Sequence, residues 1–443
     1  MREVKSGLRL WERNAVSTKM IIIGILAMLL LIPASMIKSV INEREWRNIQ
    51  VTREVGSKWG LEQTVTGPVL KIPYLQRYVN SEGKTITNRH DLYLLPDKLN
   101  IDSRVEPQKR SRGIYEAVVY SSTVAMTGDF DLERLKESGV KRENILFNRA
   151  TILLGIADMK GVREKIAAEV NGEAVEMNPG FRETVVTSSV GAPVNGLQAL
   201  QRLPFDFTMN LNGNGQLSFV PVGKVTRVAM TSPWTSPSFN GAFLPVERKI
   251  SESGFTAEWN VLHFNRDLPQ VWTDQEVKLA EHAFGVSFII PADIYQQSTR
   301  TAKYAIMFIG FTFSAFFISE ILNRQRIHPV QYLLIGFALV LFYVLLISIS
   351  EHLTFALAYL IATAATIAMI ASYAVSVLKS KRMGGIVAAI LAGLYIYMYV
   401  LINLEDYSLL MGGVGLFLVL SAIMYLTRKI DWYAGVADVA EAT

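Results

Sequence analysis

The chain of 443 residues contains no cysteine. Disulfides, thiolate metal sites and cysteine nucleophiles are therefore excluded. Histidine is also scarce, with five residues at positions 90, 263, 282, 328 and 352. None is spaced from another as metal ligands on one element are. Glu281 and His282 are adjacent, so their side chains diverge on a helix or a strand. There is no H-E-x-x-H, no G-x-S-x-G and no G-x-x-x-x-G-K-[ST], the patterns that build zinc-protease, serine-hydrolase and phosphate-binding sites. Gly213-x-Gly215 is followed by Ser218 where a dinucleotide-binding turn needs glycine. No catalytic, cofactor or metal residue can be named, so the expectation is a non-enzymatic protein without a cofactor.

What is abundant is apolar sequence. Half of the residues are hydrophobic, yet 19% are charged, a mixture that suits a water-soluble part joined to a membrane part. About 20 apolar residues span roughly 30 Å of hydrocarbon. Met20–Ile37, Thr354–Val377 and Ile386–Leu404 meet that length, and Tyr332–Ile349 and Leu409–Leu426 fall slightly short; none of the five carries a charge. Tyr304–Ile321 carries one, Glu320. Six transmembrane helices are expected. The net charge of +5 does not point to nucleic acid, because much of the excess lies beside these runs, where it sets orientation.

The basic residues alternate. Arg2, Lys5, Arg9, Arg13 and Lys19 precede the first run, Arg324 and Arg326 follow the second, Lys379, Lys381 and Arg382 follow the fourth, and Arg428 and Lys429 follow the sixth. Ser350–His352 and Asn403–Ser408 carry no Lys or Arg. Both termini are thus expected in the cytoplasm, with the segment between the first two spans exported. The first run could instead be a cleaved signal, but Pro33-Ala34-Ser35 is a poor cleavage site and the apolar run is long for one. Glu320 reads as an interfacial carboxylate near Arg324, or as a proton relay. Glu351 and His352 read as a solvated external turn. Ala358/Ala362 and Ala389/Gly393 are small pairs that permit close helix approach.

The expected plan has a basic arm and anchor over 1–41, an exported periplasmic β-rich domain over 42–300, a five-helix bundle over 301–427 and a cytoplasmic tail over 428–443. Asn42–Lys58 is charged and helix-prone, a stalk continuing the first span. Beyond it, period-two alternation marks strands: Phe205, Phe207, Met209 and Leu211; Phe255, Ala257, Trp259 and Val261; and Val118, Tyr120, Val124 and Met126. Strands with one wet face imply an antiparallel β-sandwich-like insert. Asn212-Gly213-Asn214-Gly215 predicts a hairpin before Leu217 and Phe219. Asp131–Val140 predicts a short helix. Subdomains, if there are two, divide near Asn178–Gly180 or Ser189–Gly196. Ser232–Pro245 holds three prolines and cannot be a central strand. It is expected as an ordered loop whose Trp234, Pro237, Phe239 and Phe243 are either packed core or an interaction surface. Arg326-Ile327-His328-Pro329 lies in a cytoplasmic connector, with Pro329 suited to a first helical turn.

Several ordered runs stand out along nearly the whole chain. They are Ile32-Pro33 and Glu43-Arg44; Trp59-Gly60; Thr66-Gly67-Pro68-Val69-Leu70; and Ile72-Pro73-Tyr74. Then come Gly213-x-Gly215-x-Leu217-Ser218-Phe219-x-Pro221, and Ser232-x-Trp234-x-x-Pro237-Ser238-Phe239-x-Gly241-x-Phe243-Leu244-Pro245. Ser253-Gly254-Phe255-x-Ala257-x-Trp259, Ala302-Lys303-Tyr304, Arg326-x-His328-Pro329-x-Gln331-Tyr332-Leu333-Leu334 and Asp431-Trp432-Tyr433 follow. Together these runs resemble the CreD family of cell-envelope integrity proteins. The resemblance implies a multi-pass inner-membrane protein tied to envelope maintenance and to cell-wall stress. It also implies production under a two-component sensor–regulator pair. It supplies no catalytic residues. The expected partners are the lipid bilayer and an envelope protein, lipid or cell-wall component. The alternatives are a transporter or channel, an enzyme acting on an envelope lipid or glycan, and an inward-signalling sensor.

Overall fold

A computed structural model describes residues 15–79, 84–181, 188–273, 277–290, 294–323, 327–404 and 407–428. Arg324, Arg326, Lys429 and Asp431-Trp432-Tyr433 lie outside the described residues. Ala15–Trp59 forms one helix, α1, of 45 residues. At 1.5 Å per residue it extends about 67 Å, twice the roughly 30 Å hydrocarbon thickness. The charged stretch from Asn42 onward is helical because nothing stops the helix before Trp59; the lone internal proline is Pro33. The chain forms two compact units, Met1–Arg47 with Ala292–Thr443, and Asn48–Pro291. Residues of α1 belong to both.

The β-rich unit contains two sheets. The eight-stranded sheet runs in the order Glu247–Ser251, Gly254–Leu262, Val225–Ser232, Lys98–Arg112, Tyr115–Asp131, Arg202–Asn214, Ala167–Val170 and Glu173–Ala174. Its long strands alternate buried and exposed residues: Leu203, Phe205, Phe207 and Met209 are inside, Asp206 and Thr208 outside. The nine-stranded sheet runs Pro237–Gly241, Phe284–Phe288, Gln216–Phe219, Gln63–Val79, Ala150–Ile156, Ser189–Val194 and Asn178–Phe181. Thr85–Leu94 adds to Gln63–Val79, and Val271–Thr273 to Thr85–Leu94. Its central strands are buried on both faces, as at Val69–Ile72 except Lys71, and at Ile152–Ile156, so they read as continuous apolar runs rather than alternating ones. Residues of both sheets join one hydrophobic core. Most pairings are antiparallel, but Gln63–Val79 with Gln216–Phe219, and Val225–Ser232 with Lys98–Arg112, are parallel.

Three local expectations change. Asn212–Gly215 is not a hairpin. Arg202–Asn214 pairs in the eight-stranded sheet through Asn214↔Val119, and Gln216–Phe219 belongs to the other sheet. The glycines serve a crossover between sheets: a Cβ on Gly213 would lie 2.3 Å from the Tyr120 hydroxyl, and Gly215 has φ 61°. Within Ser232–Pro245, Pro237–Gly241 is a strand, at the sheet edge where proline's missing donor is tolerated. The short helix after Asp131 is a 3₁₀ helix, Leu132–Ser138, capped by the Asp131 carboxylate and ended by Gly139 at φ 73°.

The helical unit contains, besides α1, α2 (Ile294–Lys303), α3 (Ala305–Asn323), α4 (Pro329–Ser350), α5 (Phe355–Val377), α6 (Lys381–Asn403) and α7 (Ser408–Thr427). The expected boundary at 300 falls inside α2. Among the described residues, four helices are long and apolar enough to cross a membrane (α1, α4, α5 and α6), or five if α2 and α3, bent by 46°, count as one span. The sixth expected span appears as a shorter apolar stretch, Leu410–Tyr425. An aromatic cluster fills the bundle: the Tyr395 ring lies 4.7 Å from Phe308 and 4.8 Å from Phe342. The Tyr359 hydroxyl donates to the Tyr395 carbonyl at 2.7 Å. Ala358 and Ala362 are fully buried, as small contact residues should be. Ala389 and Gly393 are exposed instead, and a Cβ on Gly393 would meet nothing within 4 Å.

Candidate functional site

The most unusual side chain in the helical unit is Glu320. It sits near the end of α3 and is 7% exposed. An ionised carboxylate removed from water costs several kcal/mol unless charge and hydrogen bonds compensate. Three donors converge on it. Lys19, from the start of α1, forms an ion pair with Oε1. The Ile327 amide donates to the same oxygen at 3.1 Å. The Tyr332 hydroxyl donates to Oε2 at 2.9 Å.

The segment Ile327–Tyr332 is shaped for this. His328 caps α4, its Nδ1 accepting from the Val330 amide at 3.3 Å, while Gln331 Oε1 accepts from the His328 amide at 2.8 Å. This reciprocal cap fixes the first turn. Pro329 occupies the first helical position, where it loses no hydrogen bond. With the turn fixed, Ile327 N–H and Tyr332 OH both face Glu320. The sequence-expected partner Arg324 lies outside the described residues; the partner in place is Lys19. His328 is exposed and acts as a cap.

A second ion pair joins α1 to the bundle. Arg44 Nε is 3.6 Å from Glu351 Oε1, at the C-terminal cap of α4. Glu351 is therefore paired rather than simply solvated in its turn. Lys19 and Arg44 are separated by about 37 Å along α1, somewhat more than the hydrocarbon thickness. Between them Leu30 is buried against α4, where a Cβ on Gly336 would come 2.0 Å from Leu30 Cδ1. Sequence reading missed both pairs, because each joins residues hundreds of positions apart. The available signals were a lone charge inside an apolar run, Glu320, and a lysine abutting another, Lys19.

The β-rich unit holds the other sequence candidates. Trp234, Pro237, Phe239 and Phe243 are half-buried. Trp234 Nε1 donates to the Ser236 and Ile289 carbonyls, each at 3.1 Å. Phe239 stands edge-on to Phe255 at 5.7 Å, and Phe243 to Phe284 at 5.8 Å. These rings pack against the core and leave part of each face outside. Beside them Leu244 and Val246 are exposed. Trp59 closes α1 within this unit: its Nε1 donates to the Tyr120 carbonyl at 3.0 Å, and Arg110 lies 5.2 Å over its ring. Gly60 follows at φ 149°, where a Cβ would lie 2.6 Å from the Asn212 carbonyl oxygen. Gln63, fully buried, donates to the carbonyls of Asp158 and Asn212 and accepts from the Asp158 amide. Among the described residues, no group of three or more His, Asp or Glu could share a metal ion.

Apolar helices long enough to cross a bilayer, joined to a large two-sheet unit after the first of them, define a polytopic membrane protein with a large β domain. The family described as Inner membrane protein CreD matches residues 15–433, and the chain belongs to that family. It is 37% identical over 413 residues to Inner membrane protein CreD of Escherichia coli (strain K12), covering 92% of this chain and 91% of that one. Two solved structures of yeast LTA4 hydrolase, one native and one with bestatin, align with 50% of this chain and 35% of theirs. Their identities are 6% and 7% and their TM-scores 0.20 and 0.19, too low to carry any argument.

Proposed function

We propose that this protein is a non-enzymatic inner-membrane factor that contributes to cell-envelope integrity and to the response to cell-wall stress. In this reading both termini are cytoplasmic and six spans cross the membrane. The β-rich unit lies in the periplasm, where it binds an envelope protein, lipid or cell-wall component. The observation that carries the reading is the pair of ion pairs bracketing the apolar run of α1, Lys19–Glu320 at one end and Arg44–Glu351 at the other. Their spacing matches a bilayer crossing, and together with the burial of Leu30 it favours a retained helix over a cleaved leader. The half-buried rings of Trp234, Phe239 and Phe243, with exposed Leu244 and Val246 beside them, offer the β unit a surface for a partner.

Photo-crosslinking from positions 244 and 246 of the full chain in growing cells tests it. A specific adduct, strengthened by cell-wall stress, is expected; no adduct beyond background at any position would overturn the binding role. A transporter is the second reading, favoured by one observation, the buried carboxylate of Glu320. Its three donors suit a fixed clamp better than a group that must exchange protons. A Glu320→Gln protein that stays folded but loses all activity would favour the transporter.

A further inference from the structure

We propose that the groove between α3, α6 and α7 is a binding site for an anionic glycerophospholipid. The cavity measures about 810 Å³. Its walls are hydrocarbon: Phe311 and Ile318 from α3, Ile386 and Ile390 from α6, Leu418 and Val419 from α7. Its one charged side chain lies at one end with two serines beside it, while Ser314 and Tyr397, further along the lining, donate their hydroxyls to the Gly310 and Met411 carbonyls. Ser319 is near the end of α3, while Ser380 and Arg382 stand at the start of α6. From Arg382 to Tyr397, also in the lining, the helix rises about 22 Å. That is about three quarters of the roughly 30 Å hydrocarbon thickness, deeper than one leaflet. The groove thus has a charged mouth and a mostly apolar shaft long enough for an acyl chain.

The charge of the mouth selects the headgroup. Arg382 forms no ion pair among the described residues. It stands with Lys379 and Lys381 at the N-terminal end of α6, whose first turn has no acidic residue. A helix N-terminus is already electropositive, so cations there are unfavourable unless an anion joins them. A phosphate at the membrane surface supplies it, and basic pockets between membrane helices bind such headgroups. Orientation by positive charge accounts for Lys379 and Lys381 wherever they lie in the connector. It does not require Arg382 to line a hydrocarbon groove. The shaft is kept open by Gly393, part of the lining, where an added Cβ would meet nothing within 4 Å.

The test is native mass spectrometry of the full chain in mild detergent. It is titrated separately with phosphatidylglycerol, phosphatidylethanolamine and glycerol 3-phosphate. Wild type is expected to bind phosphatidylglycerol more tightly than phosphatidylethanolamine and to ignore glycerol 3-phosphate. Arg382→Gln should weaken phosphatidylglycerol about five-fold and leave phosphatidylethanolamine unchanged. Gly393→Leu should weaken both lipids by filling the shaft. Gly385→Leu, equally unhindered but outside the lining, should change neither. Equal binding of the two lipids by wild type, or an unchanged preference in Arg382→Gln, would overturn the site. So would tight binding of glycerol 3-phosphate, which would mark a phosphate site without a lipid. If Gly393→Leu does not fold, the Arg382→Gln comparison decides.

Discussion

Lys19 and Glu320, 301 residues apart in sequence, form an ion pair in the helical unit, with their side chains 19% and 9% exposed. Removing one partner of such a pair leaves an uncompensated charge. Lys19→Met or Glu320→Ala should each cost about 3 kcal/mol. The double variant should cost clearly less than the sum, because neither charge then remains. Thermal unfolding of the four proteins in detergent completes the cycle. Additive losses would mean that the two side chains are energetically independent.

The contact of Leu30 with Gly336 gives a steric counterpart. Gly336→Ala places a methyl group where Leu30 Cδ1 now sits and should destabilise by about 1–3 kcal/mol. Adding Leu30→Ala to that variant removes the clashing atoms. The measured melting temperature should then recover part of the loss.

In the β unit, the sheet crossover depends on Tyr120. Its hydroxyl, fully buried, donates to the Gln216 carbonyl at 2.7 Å, and burial pushes its pKa well above the usual tyrosine range. Tyr120→Phe removes that hydrogen bond at a cost of about 0.5–1.5 kcal/mol. Hydrogen exchange should report lost protection in Gln216–Phe219, with little change in the distant pairing of Thr85–Leu94.

Arg266 supplies a pH signature. It is 6% exposed, and its Nη2 donates to the Val222 and Gly223 carbonyls, both at 2.8 Å. Burial lowers its pKa to about 10, below the usual guanidinium range. The unfolded chain therefore holds this proton more tightly, and the group's contribution rises as pH climbs through about 10 towards the usual guanidinium range, while staying flat below. Relative to Arg266→Met, wild type should gain about 0.8 kcal/mol between pH 8 and pH 10.5. A constant difference across that range would show an unshifted guanidinium.

Much of this architecture was legible because local patterns dictate it. Leu203–Leu211 could only alternate if one sheet face was wet, and Met20–Ile37 was apolar enough to cross a membrane. The crossover at Asn212–Gly215 was misread as a hairpin. Positive φ and small size serve a turn and a close approach equally, and only Tyr120, some 90 residues away, distinguishes them. Ala389 and Gly393 were misread as a helix contact for the same reason: small residues permit approach but do not supply a neighbour. The Glu320 site was half visible. Its carboxylate and the run Ile327–Tyr332 stood out, but Lys19 is joined to them by tertiary structure alone.

The side of the membrane that the β unit occupies is directly measurable, because the chain has no cysteine. Single cysteines at Phe264→Cys, 84% exposed in the β unit, and at the exposed positions His352→Cys and Lys381→Cys can be probed with a membrane-impermeant maleimide. In intact spheroplasts, Phe264→Cys and His352→Cys should label fully, and Lys381→Cys only after permeabilisation. Labelling of Lys381→Cys in intact spheroplasts, with Phe264→Cys protected until lysis, would contradict the account.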